Sequence, residues 1–505
     1  MKNYKPTIGL EIHVELKTKT KMFCDCLNDP LEKNPNMNIC PICTAQPGSL
    51  PVINKDAVES VIRAGLALNC QINKKSWFER KNYFYPDLPK GYQISQYEAP
   101  LCKEGYLEIL SASSGQVKKV KIRRIHLEED TGRLIHDQDK DSSLVDYNRA
   151  GVPLMELVTE PDIESAIEAK KFAEELQLIF RYLGISDADM EKGQMRVEAN
   201  ISLRESDFLN MGTKVEVKNL NSFKGVEKAI EYELERQKEV LEKGETVIHE
   251  TRGWNDVKQE TFSQRIKETS DDYRYFPEPD LPSMTFSADE VEKIGDMVPE
   301  LPQARRERFK REYGILDSSA EIFVSFKNLG DFFECSASEL KAWFESGKIK
   351  TDIDKLIKLS ANYIITEFPK YCSVRTSNTP GVVTIISPRY CEIKITPENF
   401  AELIYLIFIG EISSSGAQEV LKEMFISGGD PSQIIESKNL KQLSDGKELE
   451  LAAEKTIKNN PQAVEDYKKG KETAMQFLVG QIMRETKGRA NPKVAASLIH
   501  KILKK

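Results

Sequence analysis

No stretch of this 505-residue chain holds the roughly 18 to 20 consecutive apolar residues that span a bilayer. Its first residues, Met1-Lys2-Asn3-Tyr4-Lys5-Pro6, lack the apolar core of a signal peptide, so a cytosolic (cytoplasmic) protein is expected. Low-complexity tracts and internal repeats are absent, which excludes solenoids and repeat arrays. The phosphate loop G-x-x-x-x-G-K-[ST] and the dinucleotide loop G-x-G-x-x-G are missing too, so any ATP site must stand on another framework. There is no nucleophile elbow, and nothing suggests an amidase or protease centre. Basic charge is not in excess: 72 Lys and Arg face 80 Asp and Glu, a net charge of -8, so the whole chain is not a basic nucleic-acid binder. Nor do the nine cysteines form a disulfide framework. Cys24, Cys26, Cys40 and Cys43 crowd together while Cys70, Cys102, Cys335, Cys372 and Cys391 are scattered, as expected of a metal site plus ordinary thiols.

What is present, 40% hydrophobic and 30% charged residues, is the composition of a globular protein, and the length suits roughly three to four domains. The chain reads as strand-rich to about residue 290 and helical and more polar beyond Glu290, with a boundary at Pro299-Glu300-Leu301-Pro302. Helices are predicted over Ala304 to Tyr313 and Ile353 to Phe368. The β-branched stretch Thr376 to Ile395, with Pro380 and Pro388, interrupts them. Further helix starts stand at Thr396-Pro397-Glu398 and Asn460-Pro461. From Val464 onward ten Lys and Arg face four acids, a local charge of +6 that reads equally as a solvated helical face or as a surface for an anionic partner.

The candidate chemistry lies on strands. Ile8, Leu10, Ile12, Val14 and Leu16 alternate with Gly9, Glu11, His13 and Glu15, placing two carboxylates and an imidazole on one face. That alternation also describes a strand with one face in water. Two more strands repeat it: Met195 to Leu203, with Arg196, Glu198, Asn200, Ser202 and Arg204 between apolar residues, and Val215 to Val217, with Lys214, Glu216 and Lys218. Three such faces together suit phosphate neutralisation and a divalent cation. Glu156 lies within Val152 to Val158, where both faces of a strand would be apolar. A lone buried carboxylate costs several kcal/mol, so a cation is expected beside it. Glu128-Glu129-Asp130, after the strand-like Val120 to Leu127, offers further oxygen ligands, and such a set favours Mg²⁺ or Mn²⁺ over zinc. The cysteine pairs Cys24-Asp25-Cys26 and Cys40-Pro41-Ile42-Cys43, 13 residues apart, could close a four-thiolate zinc site; a redox pair or coincidental thiols are the alternatives. The aromatic and basic run Arg80 to Pro86 could clamp a nucleotide or simply end a strand, and Asp271 to Pro277 shares that ambiguity.

These residues fall into ordered motifs: Ile8-Gly-Leu-Glu-Ile-His-Val-Glu-Leu16, Arg80-Lys-Asn-Tyr-Phe-Tyr-Pro86, Tyr92-Gln-Ile-Ser-Gln96 and His126-Leu-Glu-Glu-Asp130. Asn148-Arg149 with Pro153-Leu-Met-Glu156, Lys218-Asn-Leu-Asn-Ser-Phe223, Asp272-Tyr-Arg-Tyr-Phe-Pro277, Phe477-Leu-Val-Gly-Gln481 and Gly488-Arg-Ala-Asn-Pro492 continue them. With them the chain resembles, along nearly its whole length, the B subunits of bacterial and organellar aspartyl/glutamyl-tRNA amidotransferases. The resemblance implies an α+β fold. Residues 1–294 would form an antiparallel-sheet cradle of the glutamine synthetase and guanido kinase kind carrying the zinc knuckle, 295–395 a helical linker domain, and 396–505 a YqeY-like helical tail that binds tRNA. It implies an ATP-dependent carbon-nitrogen ligase with glutamine as amido donor. The side-chain carboxylate of Glu-tRNA(Gln) or Asp-tRNA(Asn) would be phosphorylated, then amidated by ammonia from a separate amidase (A) subunit, in a heterotrimer completed by a small C subunit. The same resemblance makes His13, Glu129 and Glu156 ligands of Mg²⁺, sets Glu11 and Lys81 in the reacting site, and leads Zn²⁺ to be expected on all four crowded cysteines. Arg196, Asn200, Lys214 and Glu216, from the strand pattern, are expected to bind the nucleotide. Two rivals remain: a non-catalytic tRNA-binding scaffold, and a stand-alone ligase using free ammonia and a small amino acid. Between about Ile315 and Pro397 the chain departs from the family pattern.

Overall fold

The computed structural model describes residues 4–111, 115–137, 142–205, 211–266, 273–372, 375–376, 383–384, 393–442, 446–486 and 488–504. Asp271, Asp272, Pro380, Pro388 and Cys391, singled out above, lie outside them, as do Lys487 and Lys505 of the basic segment after Val464.

The alternation that begins at Tyr4 produces a 12-residue strand, β1 (Tyr4–Glu15), whose apolar set Ile8, Leu10, Ile12 and Val14 is fully buried. The strands that follow are β2 (Gln71–Ile72), β3 (Lys75–Ser76), β4 (Glu79–Asn82), β5 (Tyr92–Ser95), β6 (Cys102–Leu110), β7 (Val117–Glu129), β8 (Arg133–Asp137) and β9 (Ser142–Asp146). Next come β10 (Pro153–Thr159), β11 (Met195–Glu205), β12 (Val215–Leu220), β13 (Glu250–Asn255), β14 (Glu260–Ile266), β15 (Phe276–Pro277) and β16 (Met284–Thr285). Nine of them form one sheet in the order β14-β13-β12-β11-β1-β10-β7-β6-β2, antiparallel except for the parallel pair β12 and β13. A small sheet, β15-β4-β5, stands apart from it.

The apolar face of the large sheet is covered by α1 (Lys55–Ala67), α2 (Ala166–Leu183) and α3 (Phe223–Glu242), whose Val61, Phe172, Leu176, Phe180, Val226 and Ile230 are buried against it in one continuous core. Each helix starts on a side-chain cap: Asn54 accepts from the N–H of Ala57, Ser165 from Glu168 and Ser222 from Gly225. These three helices lie in the region that reads as strand-rich from its period-two segments. A fourth helix, α4 (Ala288–Gly295), closes this part of the chain.

Chain contacts divide the described residues into two units, Met1–Pro302 and Gln303–Lys505. The second unit holds α5 (Pro302–Tyr313), α6 (Asp317–Ser325), α7 (Lys327–Glu345), α8 (Ile353–Cys372), α9 (Pro397–Phe408), α10 (Ser414–Ser427) and α11 (Pro431–Ser437) around one core. A smaller core, built on Leu449, Leu478, Ile482 and Ile499, joins α12 (Gly446–Asn459), α13 (Pro461–Lys468), α14 (Glu472–Glu485) and α15 (Pro492–Lys504). The expected helices at 304–313 and 353–368 are α5 and α8, and Thr396 caps α9 as its sequence suggests. A sheet-based first unit followed by helices is the α+β layout expected. Among the described residues no helix is long and apolar enough to cross a membrane.

Candidate catalytic cradle and four-cysteine site

Strand register turns the sequence alternation into rows on the polar face of the sheet. One row crosses four strands, His126 on β7, Glu156 on β10, His13 on β1 and Arg196 on β11. Its neighbour carries Arg124, Val158, Glu11 and Glu198. His13 Nε2 lies 3.3 Å from Glu156 Oε2 and 3.7 Å from Glu128 Oε1; His126 Nε2 lies 3.2 Å from Glu156 Oε2 and 3.6 Å from Glu128 Oε2. Candidate ligand atoms gather in three overlapping sets: His126, Glu128 and Glu156; Glu11, His13 and Glu156; and Glu11, Glu198 and Glu216. Glu156 belongs to two sets and Glu11 to two, so the groups make one continuous band.

The electrostatics follow from crowding acids with few cations at a desolvated surface. Burial first, then the charges of Glu156 and Glu198, push Glu11 up to about 7. Burial opposes a charge on His13, but the hydrogen bond and charge of Glu156, with Glu128 behind it, lift the imidazole to about 9. Glu156 is held well below the usual carboxylate range against its own burial, by His126 and then His13. Lys81, whose Nζ sits 5.0 Å over the Tyr273 ring, is raised in spite of burial by Glu128, Tyr275 and Glu156. Its neighbour Arg80 faces the other way and makes a two-pronged bond to Glu278 at 2.7 and 2.8 Å, so only one half of the aromatic-basic run points at the cradle.

The structure places the expected residues unevenly. Glu11, His13 and Glu156 come together, and Lys81 is close enough to feel two of the carboxylates. Asn200 and Glu216 are cross-strand partners, and among the described residues the buried Asn200 Oδ1 has no hydrogen-bond partner. Arg196 donates to Asp130 at 2.7 Å. Glu129, expected on the same ion as His13 and Glu156, is not there. Successive strand residues point to opposite faces, so His126 and Glu128 share the cradle face while Glu129 turns away with Ile125 and Leu127. Its carboxylate instead accepts from Lys90 Nζ at 2.7 Å and the Ile94 N–H at 3.0 Å, beside a cavity lined by Cys24, Cys43 and Gly151. Lys214 is exposed ahead of β12, and Lys218 stands in the band instead, 2.7 Å from Glu198. His126, Glu128, Glu198 and Lys218 carry no individual role in the sequence pattern; carrying the apolar parity of Ile125 and Leu127 one residue further would have separated Glu128 from Glu129.

Five carboxylates, two imidazoles and an unsatisfied amide oxygen suit a hard divalent cation such as Mg²⁺. The second cluster is soft. Cys24, Cys26, Cys40 and Cys43 bring all four Sγ atoms within 4.8 Å of one another, which fits a tetrahedral zinc. The Cys40 N–H points to Cys43 Sγ at 3.1 Å, and Cys43 is lowered to about 5 by its hydrogen bond with Cys24 and then by Lys21, against burial. The loop between the cysteine pairs is stitched to the turn that leads into β10: the Asn38 N–H reaches Asn148 Oδ1 at 2.9 Å, and Asn148 Nδ2 reaches the Asn34 carbonyl at 2.8 Å.

A carboxylate band on an antiparallel-rich sheet, backed by helices and followed by a helical unit, defines an α+β cradle protein with two distinct metal-suited clusters. The family model described as the GatB/GatE catalytic domain matches residues 6–292, and that described as the GatB domain matches residues 348–503. The B subunit of the aspartyl/glutamyl-tRNA(Asn/Gln) amidotransferase of Thermotoga maritima is 48% identical over 504 residues, 99% of either chain. The B subunits of the same name from Caldanaerobacter subterraneus subsp. tengcongensis and Carboxydothermus hydrogenoformans are 47% identical over 502 residues and 46% over 508; they cover 99% and 100% of this chain and are themselves covered in full. The chain belongs to the family of aspartyl/glutamyl-tRNA(Asn/Gln) amidotransferase B subunits.

Proposed function

We propose that this chain carries the phosphorylating and amidating site of a cytosolic tRNA-dependent amidotransferase. A side-chain carboxylate oxygen of Glu-tRNA(Gln) or Asp-tRNA(Asn) attacks the γ-phosphorus of ATP and ADP leaves. Ammonia then attacks the acyl carbon, phosphate leaves, and the nitrogen sheds a proton as the amide forms. Glutamine supplies the ammonia through the amidase (A) partner, and a small C subunit completes the heterotrimer. The tRNA is held by the cradle and by the basic helices after Val464.

The observation that carries this reading is the band of half-buried Glu11 and His13 with buried Glu128 and Glu156. A scaffold that merely holds tRNA has no use for acids gathered at such electrostatic cost. A bound Mg²⁺ would neutralise the repulsion between the carboxylate and the nucleotide phosphates. His13, Glu128 and Glu156 would hold that ion, and Glu11 belongs to the same cluster. Lys81 offers a fixed positive charge to the transferring phosphoryl or the acceptor carboxylate. Arg196 flanks the band, and Asn200 and Glu216 mark its nucleotide end. The four cysteines would hold Zn²⁺, a structural ion suited to ordering a loop with little to pack.

The test is a Glu156→Gln chain assembled with its partner subunits and given ATP, Mg²⁺ and misacylated tRNA. ATP-dependent amidation should fall by about a hundredfold or more, the scale of losing charge stabilisation in a transition state, while the partner's glutamine hydrolysis persists. Undiminished phosphorylation of Glu-tRNA would overturn the assignment.

A further inference from the structure

Lys21 has no relative exposure at all. Among the described residues no carboxylate pairs with it. Its ammonium has two contacts, the Tyr147 carbonyl at 3.2 Å and Cys43 Sγ at 3.9 Å. Its own N–H donates to the Cys26 carbonyl at 2.9 Å, so the residue is fixed in the turn that carries the first cysteine pair. Gly151, with φ of +84°, lies over both its stem and Cys43; a Cβ there would meet Lys21 Cδ at 3.5 Å and Cys43 Cβ at 3.6 Å.

An isolated ammonium with no solvent and no carboxylate is unstable in a protein interior unless a negative group offsets it. Four thiolates around one divalent cation leave two negative charges unbalanced, and Cys43, the one beside Lys21, is itself buried. Each of these charges answers the other. Cys43 is the thiolate that receives both the Lys21 ammonium and the Cys40 N–H. We propose that Lys21 is a positioning residue of the four-cysteine site, the internal counter-charge that lets it hold its metal and that ties the loop to the Tyr147–Gly151 turn leading into β10. The inference rests on the zinc reading above.

The test uses the full chain loaded with zinc. The rate of zinc loss to excess chelator is compared among wild type, Lys21→Met, Lys21→Gln and Lys21→Arg, with folding checked by circular dichroism. The two neutral variants should lose zinc about ten to a hundred times faster, the usual effect of removing an outer-shell partner, and Lys21→Arg should stay close to wild type. Neutral variants that release zinc at the wild-type rate overturn the proposal. A second measurement needs no substitution: Lys21 of the wild-type chain should resist acylation by an amine-reactive ester when zinc is bound and become labelled once zinc is stripped. Equal protection in both states also overturns it. A wild-type chain that binds no zinc at all sinks the zinc reading itself, an outcome distinct from either of these.

Discussion

At the scale of single residues, the difference between Glu128 and Glu129 is a difference between two faces of one strand. Glu128 accepts from Ser95 Oγ at 2.8 Å and faces both imidazoles, while Glu129 is engaged by Lys90. In the assembled enzyme, Glu128→Gln should raise the Mg²⁺ concentration for half-maximal amidation by about tenfold or more, whereas Glu129→Gln should leave it within about twofold. Titrating activity against Mg²⁺ in both variants decides between them. A second residue governs acid stability. Burial opposes the charge of Glu168, but the Glu164 N–H, Lys118 and Ser111 outweigh it and hold the carboxyl below its ordinary value of 4.5. A depressed folded value means that this contribution is complete above 4.5 and is lost as pH falls through the lower folded value. Glu168→Gln should therefore lower stability at neutral pH by roughly 1–3 kcal/mol and by less in acid, read from urea midpoints at several pH values.

At the scale of elements, the helices covering the sheet depend on their first residues. Ser165→Ala and Ser222→Ala should each cost about 1 kcal/mol of stability and, lying on separate helices, should nearly add in the double variant; thermal melts measure this. Gly105 on β6 is fixed by close approach, since a Cβ would stand 2.2 Å from Cys70 Sγ and 2.7 Å from the Leu68 carbonyl. Gly105→Ala should cost about 1–3 kcal/mol or more by overpacking. Period-two alternation makes β1, β11 and β12 legible from sequence, because each has one apolar and one polar face. Pro397 and Pro461 mark two helix starts for an equally local reason, their fixed φ. The helices α1 to α3 are masked in the sequence by the strand alternation around them, although Ser165 and Ser222 are ordinary caps. Lys218 and the parting of Glu128 from Glu129 depend on register and strand ends, which arise between strands rather than within one. Lys21 is beyond reach: a lysine in sequence says nothing of burial.

At the scale of the whole molecule, opposite charges occupy different places. The acidic band lies in the first unit, whereas exposed Arg484 on α14, exposed Lys493 on α15 and half-buried Arg489 between them lie at the end of the second. If that end meets tRNA phosphates, replacing these three by Gln should weaken tRNA binding and reduce its dependence on salt by about 0.7–0.9 of a log unit for each phosphate no longer neutralised. Binding isotherms at several salt concentrations give the slope. The substitutions should leave the Mg²⁺ requirement of the cradle unaltered.

The position of β1 has a consequence for how the chain is made. Among the described strands it is made before all the others and is yet the middle one of the large sheet, with β10 and β11 on its two sides. At roughly 5–20 residues per second, some tens of seconds pass between the synthesis of His13 and that of its partner Arg196. Until β10 is made both edges of β1 are unpaired, and its β11 edge stays open through the whole interval, a template for wrong pairing. The strand that centres the cradle is thus also one that must be protected during translation.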